Sequence, residues 1–197
     1  QNGWNVWLYP KDLHSEPGGE FVTVSELNSH ALETLENGGT VLLQIPKNRV
    51  RGDEEGQVKL GFSSIFWNTA WTRGQAPHTL GILCNPKHPA LSAFPTDFHS
   101  DWLWWYVITN SAAMILDGLP PELRPIVQVV DDWFQARRLG LVFEARVGKG
   151  RLVVSSIDLD ADNPVVSQLR KSLYDYLSEK PGQLVEVDVE DIRLLYE

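Results

Sequence analysis

Residues 25–45 read SELNSHALETLENGGTVLLQI, and they set the fold class. The first part carries leucines at near-helical spacing, namely Leu27, Leu32 and Leu35. Ser25 is the expected N-cap, and Gly38-Gly39 is the expected end of the helix, because glycine readily adopts the left-handed conformation found there. Thr40–Ile45 is an apolar run that stops before a proline, which predicts a buried strand.

The segment before this helix supplies another predicted strand. Asn5–Tyr9 (NVWLY) is a short apolar run ended by Pro10, and residues 11–22 are polar and rich in glycine, as in a loop. A strand, a helix and a strand within 46 residues form the pattern of a βαβ unit. The N-terminal part of the chain therefore predicts an α/β fold.

The C-terminal part predicts a β-hairpin followed by a helix. Leu139–Val147 and Arg151–Ile157 are apolar runs joined by Gly148-Lys149-Gly150, where glycine can supply a positive φ. Either residue of Asp162-Asn163 can cap the next helix, in which Pro164 takes the first position. The segment VEDIRLLY near the end of the chain predicts one more short helix.

The middle of the chain alternates strands with irregular structure. Thr79–Leu83 and Pro125–Trp133 are strand-like, whereas residues 85–100 contain three prolines and allow at most one helical turn. Asp101–Thr109 predicts a helix capped by Asp101 or by the residue before it. With about seven strands and three or four helices, and no internal linker, residues 1–197 predict a single α/β domain.

Charge and hydropathy exclude two classes of partner. The 17 Lys and Arg against 26 Asp and Glu give a formal net charge of −9, whereas a nucleic-acid binder needs a basic face. No apolar run approaches the roughly 18 residues of a membrane span. We therefore expect neither a nucleic acid nor a membrane as partner.

Tryptophan is in excess: the chain has eight, and five of them fall between residues 67 and 105. Trp67 and Trp71 lie in FWNTAWTRG, and three more belong to the predicted helix at 101–109. There Trp102 and Trp105 share a face while Trp104 points away. Two interpretations stay open. The rings either close the core over the proline-rich loop, or they contact a sugar or a protein partner.

Residues near these tryptophans complete the set of candidate contacts, and none of the set is expected to be catalytic. The candidates for ligand or interface contact are Trp102, Trp104, Trp105, His88, His99, Asp101, Trp67 and Trp71.

A catalytic nucleophile is the first alternative to a contact role. Cys84, the single cysteine, follows a predicted strand, where open α/β sheets present reactive residues. A nucleophile elbow needs small residues on both sides, but Leu83 precedes this cysteine and Asn85-Pro86 follows it. The flanking residues favour a buried, inert thiol.

Acidic and histidine residues predict no metal or cofactor site. Asp158, Asp160 and Asp162 resemble the start of an EF-hand loop, but the sixth and twelfth positions hold Asn163 and Leu169. These acids are expected to cap the helix that follows. The five histidines show no zinc-ligand spacing; they are His14, His30, His78, His88 and His99.

A pair of carboxylates for glycoside hydrolysis is also not expected. Asp131 and Asp132 are adjacent in a predicted strand and should point to opposite faces, and Glu144 is a third candidate without a defined partner.

Two stretches carry a resemblance to a known family. Residues 81–108 read GILCNPKHPALSAFPTDFHSDWLWWYVI and follow FWNTAWTRGQAPHTL. They resemble the C-terminal accessory region of bacterial, Bacteroidetes-type proteins of glycoside hydrolase family 2. Residues 148–159 (GKGRLVVSSIDL) resemble the closing strands of class I glutamine-amidotransferase-like folds. The resemblance implies a flavodoxin-like or glutamine-amidotransferase-like three-layer sandwich with a mostly parallel sheet and a C-terminal hairpin.

The resemblance implies a non-catalytic accessory domain of a polysaccharide-degrading glycoside hydrolase, which would serve interdomain packing, oligomerisation or shaping of the substrate cleft. The amidotransferase nucleophile would need an elbow that this sequence lacks, and a glycosidase barrel needs about 250 residues. The chain begins Gln1-Asn2-Gly3 without methionine, so we expect a domain excised from a larger glycosidase, and the resemblance implies a periplasmic or extracellular location. Its partners would be other domains of that enzyme, and a glycan is a further candidate. The alternatives are a carbohydrate-binding module with exposed tryptophans and a cysteine-dependent hydrolase or amidotransferase-like enzyme.

Overall fold

Among the residues that the structure describes, seven strands form a central sheet. The computed structural model describes residues 3, 5–10, 13, 19–54, 56–62 and 78–196. The strands are β1 (Val22–Val24), β2 (Thr40–Gln44), β3 (Ile82–Cys84), β4 (Met114–Ile115), β5 (Val127–Val129), β6 (Leu139–Val147) and β7 (Gly150–Ser155). The helices are α1 (Ser29–Glu36), α2 (Trp105–Asn110), α3 (Pro164–Leu177) and α4 (Val189–Arg193). Short 3-10 turns span Lys47–Arg49, Pro89–Leu91 and Trp102–Trp104.

The sheet is mixed, with the order β1-β2-β7-β6-β5-β3. Strands β1, β2 and β7 run parallel, whereas the pairs β7–β6, β6–β5, β5–β3 and β4–β6 are antiparallel. This corrects the expectation of a mostly parallel sheet, since the parallel arrangement is limited to three strands. The nine-residue β6 pairs with β4 and β5 near its start and with β7 along the rest of its length.

The βαβ unit forms, but its first strand is β1 and not Asn5–Tyr9. Residues 5–9 are not a strand. They contribute side chains instead: the Tyr9 ring stacks on Phe94 at 5.9 Å, and its hydroxyl donates to the carbonyl of Pro95. The helix also begins later than expected, because Asn28 caps it by accepting from the amide of Ala31 at 2.9 Å.

The C-terminal hairpin is confirmed, with bounds close to those expected. Val147 pairs with Gly150 across a two-residue loop, and Gly148 has a φ of +58°. Glycine at the first loop position is the preference of a type II′ turn. Gly150 serves a different need, because a Cβ there would lie 2.6 Å from the Cα of Leu35 in α1. The hairpin therefore packs directly against the helix backbone.

Helices cover both faces of the sheet, which makes three layers. Along β2, Val41 and Leu43 pack with α1 and α4, whereas Leu42 packs with α2 and α3 on the other face. Successive residues of a strand point to opposite faces, so a strand that is apolar throughout is buried on both sides. The helix α3 is confirmed as predicted, with Asn163 as N-cap and Pro164 in the first turn.

Candidate functional site

The tryptophans of the 102–105 segment divide between surface and core. Asp101 caps the 3-10 turn by accepting from the amide of Leu103 at 2.8 Å, and α2 continues from that turn. Trp104 is completely buried, and its indole N–H donates to the hydroxyl of Thr96 at 2.7 Å. Trp104 is therefore a core residue, which corrects its place among the candidate contacts.

The other two tryptophans form an exposed aromatic surface. Trp102 is 77% exposed and Trp105 is 48% exposed, and their ring centroids lie 6.0 Å apart. The ring of Phe62 lies 5.9 Å from that of Trp102 and 5.3 Å from that of Trp105. We call Phe62, Trp102 and Trp105 the aromatic face. The expected pairing of Trp102 with Trp105 is confirmed, whereas Trp67 and Trp71 lie outside the described residues.

Sequence reasoning missed Phe62, the third member of the aromatic face. It lies 40 positions before Trp102 in the chain, so no helical spacing connects the two residues. The one local signal was its position within an aromatic-rich stretch of sequence.

His99 and Asp101 lie close to this surface but have structural roles. His99 is exposed, pairs with Leu83 as an isolated β-bridge, and its Nδ1 donates to the carbonyl of Ser100 at 3.0 Å. Asp101 uses Oδ1 as the helix cap, whereas Oδ2 is buried without a hydrogen-bond partner among the described residues. Burial raises the pKa of this carboxyl, so Asp101 favours the neutral form more than an ordinary aspartate does.

His88 belongs to a separate polar cluster between α3 and the sheet. Its Nδ1 accepts from the amide of Ala90 at 3.2 Å, so Nε2 carries the proton and faces Oε1 of Glu144 at 4.0 Å. Glu144 also accepts from Arg151 at 3.1 Å and from the Tyr176 hydroxyl at 2.5 Å. We call His88, Glu144, Arg151 and Tyr176 the buried network.

The buried network holds its charges through mutual contacts. The Arg151 side chain is 2% exposed, and its guanidinium lies 4.1 Å from the centre of the Tyr176 ring. Burial lowers the pKa of His88 and raises that of Tyr176, so both stay neutral near pH 7. Sequence reasoning treated Glu144 as a lone carboxylate. An arginine inside an apolar strand was the available signal, because a buried charge requires a partner.

Cys84 is placed as a structural thiol. It is partly buried at the end of β3, and its Sγ donates to the carbonyl of Asp97 at 3.4 Å. Burial, with Asp101 and Asp97 nearby, raises the pKa of the thiol to about 11. A nucleophilic cysteine needs a lowered pKa, so this environment opposes nucleophilic chemistry.

The side chains of Asp131 and Asp132 do not point to opposite faces of a strand, as the sequence predicted. Strand β5 ends at Val129, so both aspartates lie beyond it. Both face Arg137: Oδ2 of Asp131 accepts from its Nε at 2.8 Å, and Oδ2 of Asp132 lies 3.7 Å from its Nη2. The guanidinium also pairs with Asp53. Burial acts to raise the pKa of Asp131, but hydrogen bonds from Arg137 outweigh it and hold that pKa below the usual range. The cluster has the features of a structural ion-pair network.

The described residues show no group of three or more His, Cys, Asp and Glu that could hold a metal ion. Within the same part of the chain, no helix has the length and apolar character needed to cross a membrane. Asp158 and Asp160 lie before α3, where Asp158 accepts from the amide of Asp160. The cap of α3 is Asn163, whose side chain accepts from the amide of Val165.

Comparison with family profiles identifies the family of this chain. No curated protein matches the chain. A family profile described as DUF8487, a domain of unknown function, matches residues 22–197. Because that match starts at β1 and covers every helix and strand described above, the chain belongs to the DUF8487 family.

Proposed function

We propose that this domain is a non-catalytic accessory domain of a polysaccharide-degrading glycoside hydrolase. In this proposal it has a flavodoxin-like, glutamine-amidotransferase-like fold and packs against another domain of the parent enzyme through the aromatic face. Residues 81–108, which carry the resemblance to the accessory region of family 2 proteins, include both Trp102 and Trp105.

The aromatic face is the observation that carries the proposal. Large aromatic side chains dominate protein interfaces, because each removes much apolar area from water and retains a polar edge. Trp102 remains 77% exposed although it contacts Phe62 and Trp105. A second domain seated on this surface would bury the apolar area that the isolated domain leaves in water.

The environment of Cys84 supports the non-catalytic part of the proposal. A thiol with a pKa near 11 is almost entirely protonated at neutral pH, and the thiolate is the nucleophilic form. In the native chain we expect slow reaction of Cys84 with a thiol reagent, and fast reaction after denaturation. Rapid reaction in the native state would favour the alternative of a cysteine-dependent hydrolase.

A carbohydrate-binding module is the second candidate, and the exposure of Trp102 favours it. The geometry of the ring pair favours it less. The planes of Trp102 and Trp105 are tilted by 50°, so the two rings do not form one flat platform for successive sugar units. A protein neighbour with an irregular surface fits such a tilted pair better.

Oxidative footprinting of tryptophan distinguishes these candidates. Hydroxyl radicals are applied to the 197-residue chain alone, to the same chain with neutral oligosaccharides, and to the full-length parent polypeptide. We expect Trp102 and Trp105 to react in the isolated chain and to be protected in the parent. Trp133, which is 71% exposed outside the aromatic face, is the matched control and should react in all samples.

Two outcomes would contradict the interdomain role. Equal reactivity of Trp102 in the isolated chain and in the parent would show that no neighbouring domain covers it. Protection by oligosaccharides in the isolated chain would instead support the carbohydrate-binding module.

A further inference from the structure

A crevice of about 540 Å³ opens at the carboxyl ends of the three parallel strands. Its walls come from the carboxyl ends of β1 and β2 and the residues that follow them, from the loop after β7, and from α2 and α3. In open α/β sheets, ligands bind outside the carboxyl ends of parallel strands, because loops from several strands converge there. The volume lies within the range of roughly 300–1,000 Å³ that is typical of small-molecule sites.

Two hydrogen bonds hold the walls of the crevice in place. Oε1 of Gln44, at the end of β2, accepts from the amide of Leu159 at 3.3 Å, which ties the loop after β7 to β2. Nζ of Lys47 donates to the carbonyl of Thr109 at 3.0 Å, which connects the segment after β2 to α2. The site is therefore built before any ligand arrives.

Charge at the crevice opposes an anionic ligand. Phosphate sites in this fold class use a glycine-rich loop that leads into a helix N-terminus. The corresponding loop here, between β7 and α3, carries Asp158, Asp160 and Asp162, and the first two line the crevice. Asp160 is paired with Arg170 at 3.3 Å, so Asp158 is the carboxylate that would repel a phosphate or a carboxylate. The loop also lacks the glycine-rich turn that a nucleotide or a flavin mononucleotide requires.

The remaining lining suits a ligand with many hydroxyl groups. Asp158 supplies acceptor oxygens, and so does Oδ1 of Asn110, whose Nδ2 donates to the carbonyl of Tyr106 at 2.9 Å. The Lys47 ammonium, which uses one of its three N–H groups on Thr109, supplies donors. Tyr106 lies one helical turn before Asn110 on α2, so its half-buried ring faces the same space. Hydroxyl groups both donate and accept, and the C–H faces of a sugar pack on an aromatic ring. From these groups we infer that the crevice binds a neutral sugar unit or short oligosaccharide.

This inference does not depend on the aromatic face or on the proposed parent enzyme. The test therefore uses the 197-residue chain alone. Neutral disaccharides, namely cellobiose, xylobiose, mannobiose and galactobiose, are titrated to about 10 mM while backbone and side-chain amide NMR signals are recorded. Inorganic phosphate and flavin mononucleotide are the anionic comparisons.

We expect at least one disaccharide to shift the signals of Asn110, Gln44 and the residues around Asp158 in a saturable manner. Asn110→Ala and Asp158→Asn should each weaken that binding about tenfold, because each removes a polar contact to the ligand. Asn48 is exposed and does not line the crevice, so Asn48→Ala is the matched control. This variant should bind the disaccharide as tightly as the unsubstituted chain does.

Three results would overturn the inference. The first is the absence of shifts at the crevice with all four disaccharides. The second is a set of shifts confined to the indole signals of Trp102 and Trp105, which would place sugar binding on the aromatic face. The third is tighter binding of phosphate or flavin mononucleotide than of any disaccharide, with shifts at the crevice.

Discussion

The two ends of strand β7 use polar side chains in opposite ways. At its amino end, Arg151 is buried against Glu144 and Tyr176, and these groups satisfy one another. Beyond its carboxyl end, the exposed Asp158 faces an open crevice. Polarity alone therefore does not identify a binding site. Groups that are satisfied internally hold the fold, and groups that face open space remain able to meet a ligand.

The largest expected effect comes from breaking the buried network. Glu144→Ala leaves the Arg151 guanidinium buried without its carboxylate, which should lower the free energy of unfolding by about 3–5 kcal/mol. Urea denaturation measures this loss. Glu186→Ala is the matched control, because its ion pair with Arg146 is exposed and should contribute less than about 1 kcal/mol. Equal losses in the two variants would contradict the assignment of Glu144 to a buried network.

A smaller loss is expected from crowding the same end of β7. In Gly150→Ala the new Cβ would lie 2.6 Å from the Cα of Leu35, so α1 or the hairpin must shift. We expect a loss of about 1–3 kcal/mol, measured by urea denaturation. Gly118→Ala adds a methyl group where no atom lies within 4 Å and should be neutral or slightly stabilising. A neutral Gly150→Ala would contradict the close packing of hairpin and helix.

The buried network should also impose a modest pH dependence. Burial lowers the pKa of His88 in the folded state, with Arg151 acting in the same direction and Glu144 opposing. Below about pH 6.5 the unfolded chain then binds more protons at this position, so stability falls as the pH falls. The loss is complete once the pH lies below the folded pKa. As the pH is lowered from about 7 to about 5, the urea midpoint of His88→Gln should fall less steeply than that of the unsubstituted chain.

Two results would contradict a neutral His88 in the folded state. If His88→Gln and the parent chain showed the same slope of stability against pH, the histidine would not be held neutral by its surroundings. A steeper slope in the variant would mean that the folded state favours the protonated ring.

The smallest effect is expected at the crevice. Asn110→Ala should change the free energy of unfolding by no more than about 0.5 kcal/mol, because the side chain is exposed and bonds within its own helix end. Urea denaturation of Asn110→Ala and of Glu144→Ala compares the loss of unfolding free energy at the two ends of strand β7. If the free energy of unfolding fell by about 2 kcal/mol or more, Asn110 would be needed to stabilise the fold and would not be available to a ligand.

Local signals made the C-terminal part of the fold predictable. Gly148 provides the positive φ that the hairpin loop requires, and Asn163 followed by Pro164 marks the start of α3. Each signal acts within a few residues. The first strand was misplaced because the run at 5–9 is more apolar and more aromatic than Val22–Val24. The choice between them depends on which segment can pair with β2, and that is a long-range contact.

The candidate site was predictable to the same limited extent. Trp102 and Trp105 are three residues apart, so helical spacing alone places them side by side. The buried network escaped prediction because it depends on the register of β6 against β7 and on the position of α3. Asp131 and Asp132 were misjudged because β5 ends before them, and nothing in the local sequence marks that end.

The position of strand β6 determines how the domain unfolds. Within the part of the chain that the structure describes, β6 bonds to β4, β5 and β7, so it joins the parallel and antiparallel parts of the sheet. Neither part can separate while β6 stays in place. We therefore expect the amide protons of its central residues to exchange with solvent only when the whole domain opens, and the two parts of the sheet to lose their structure together.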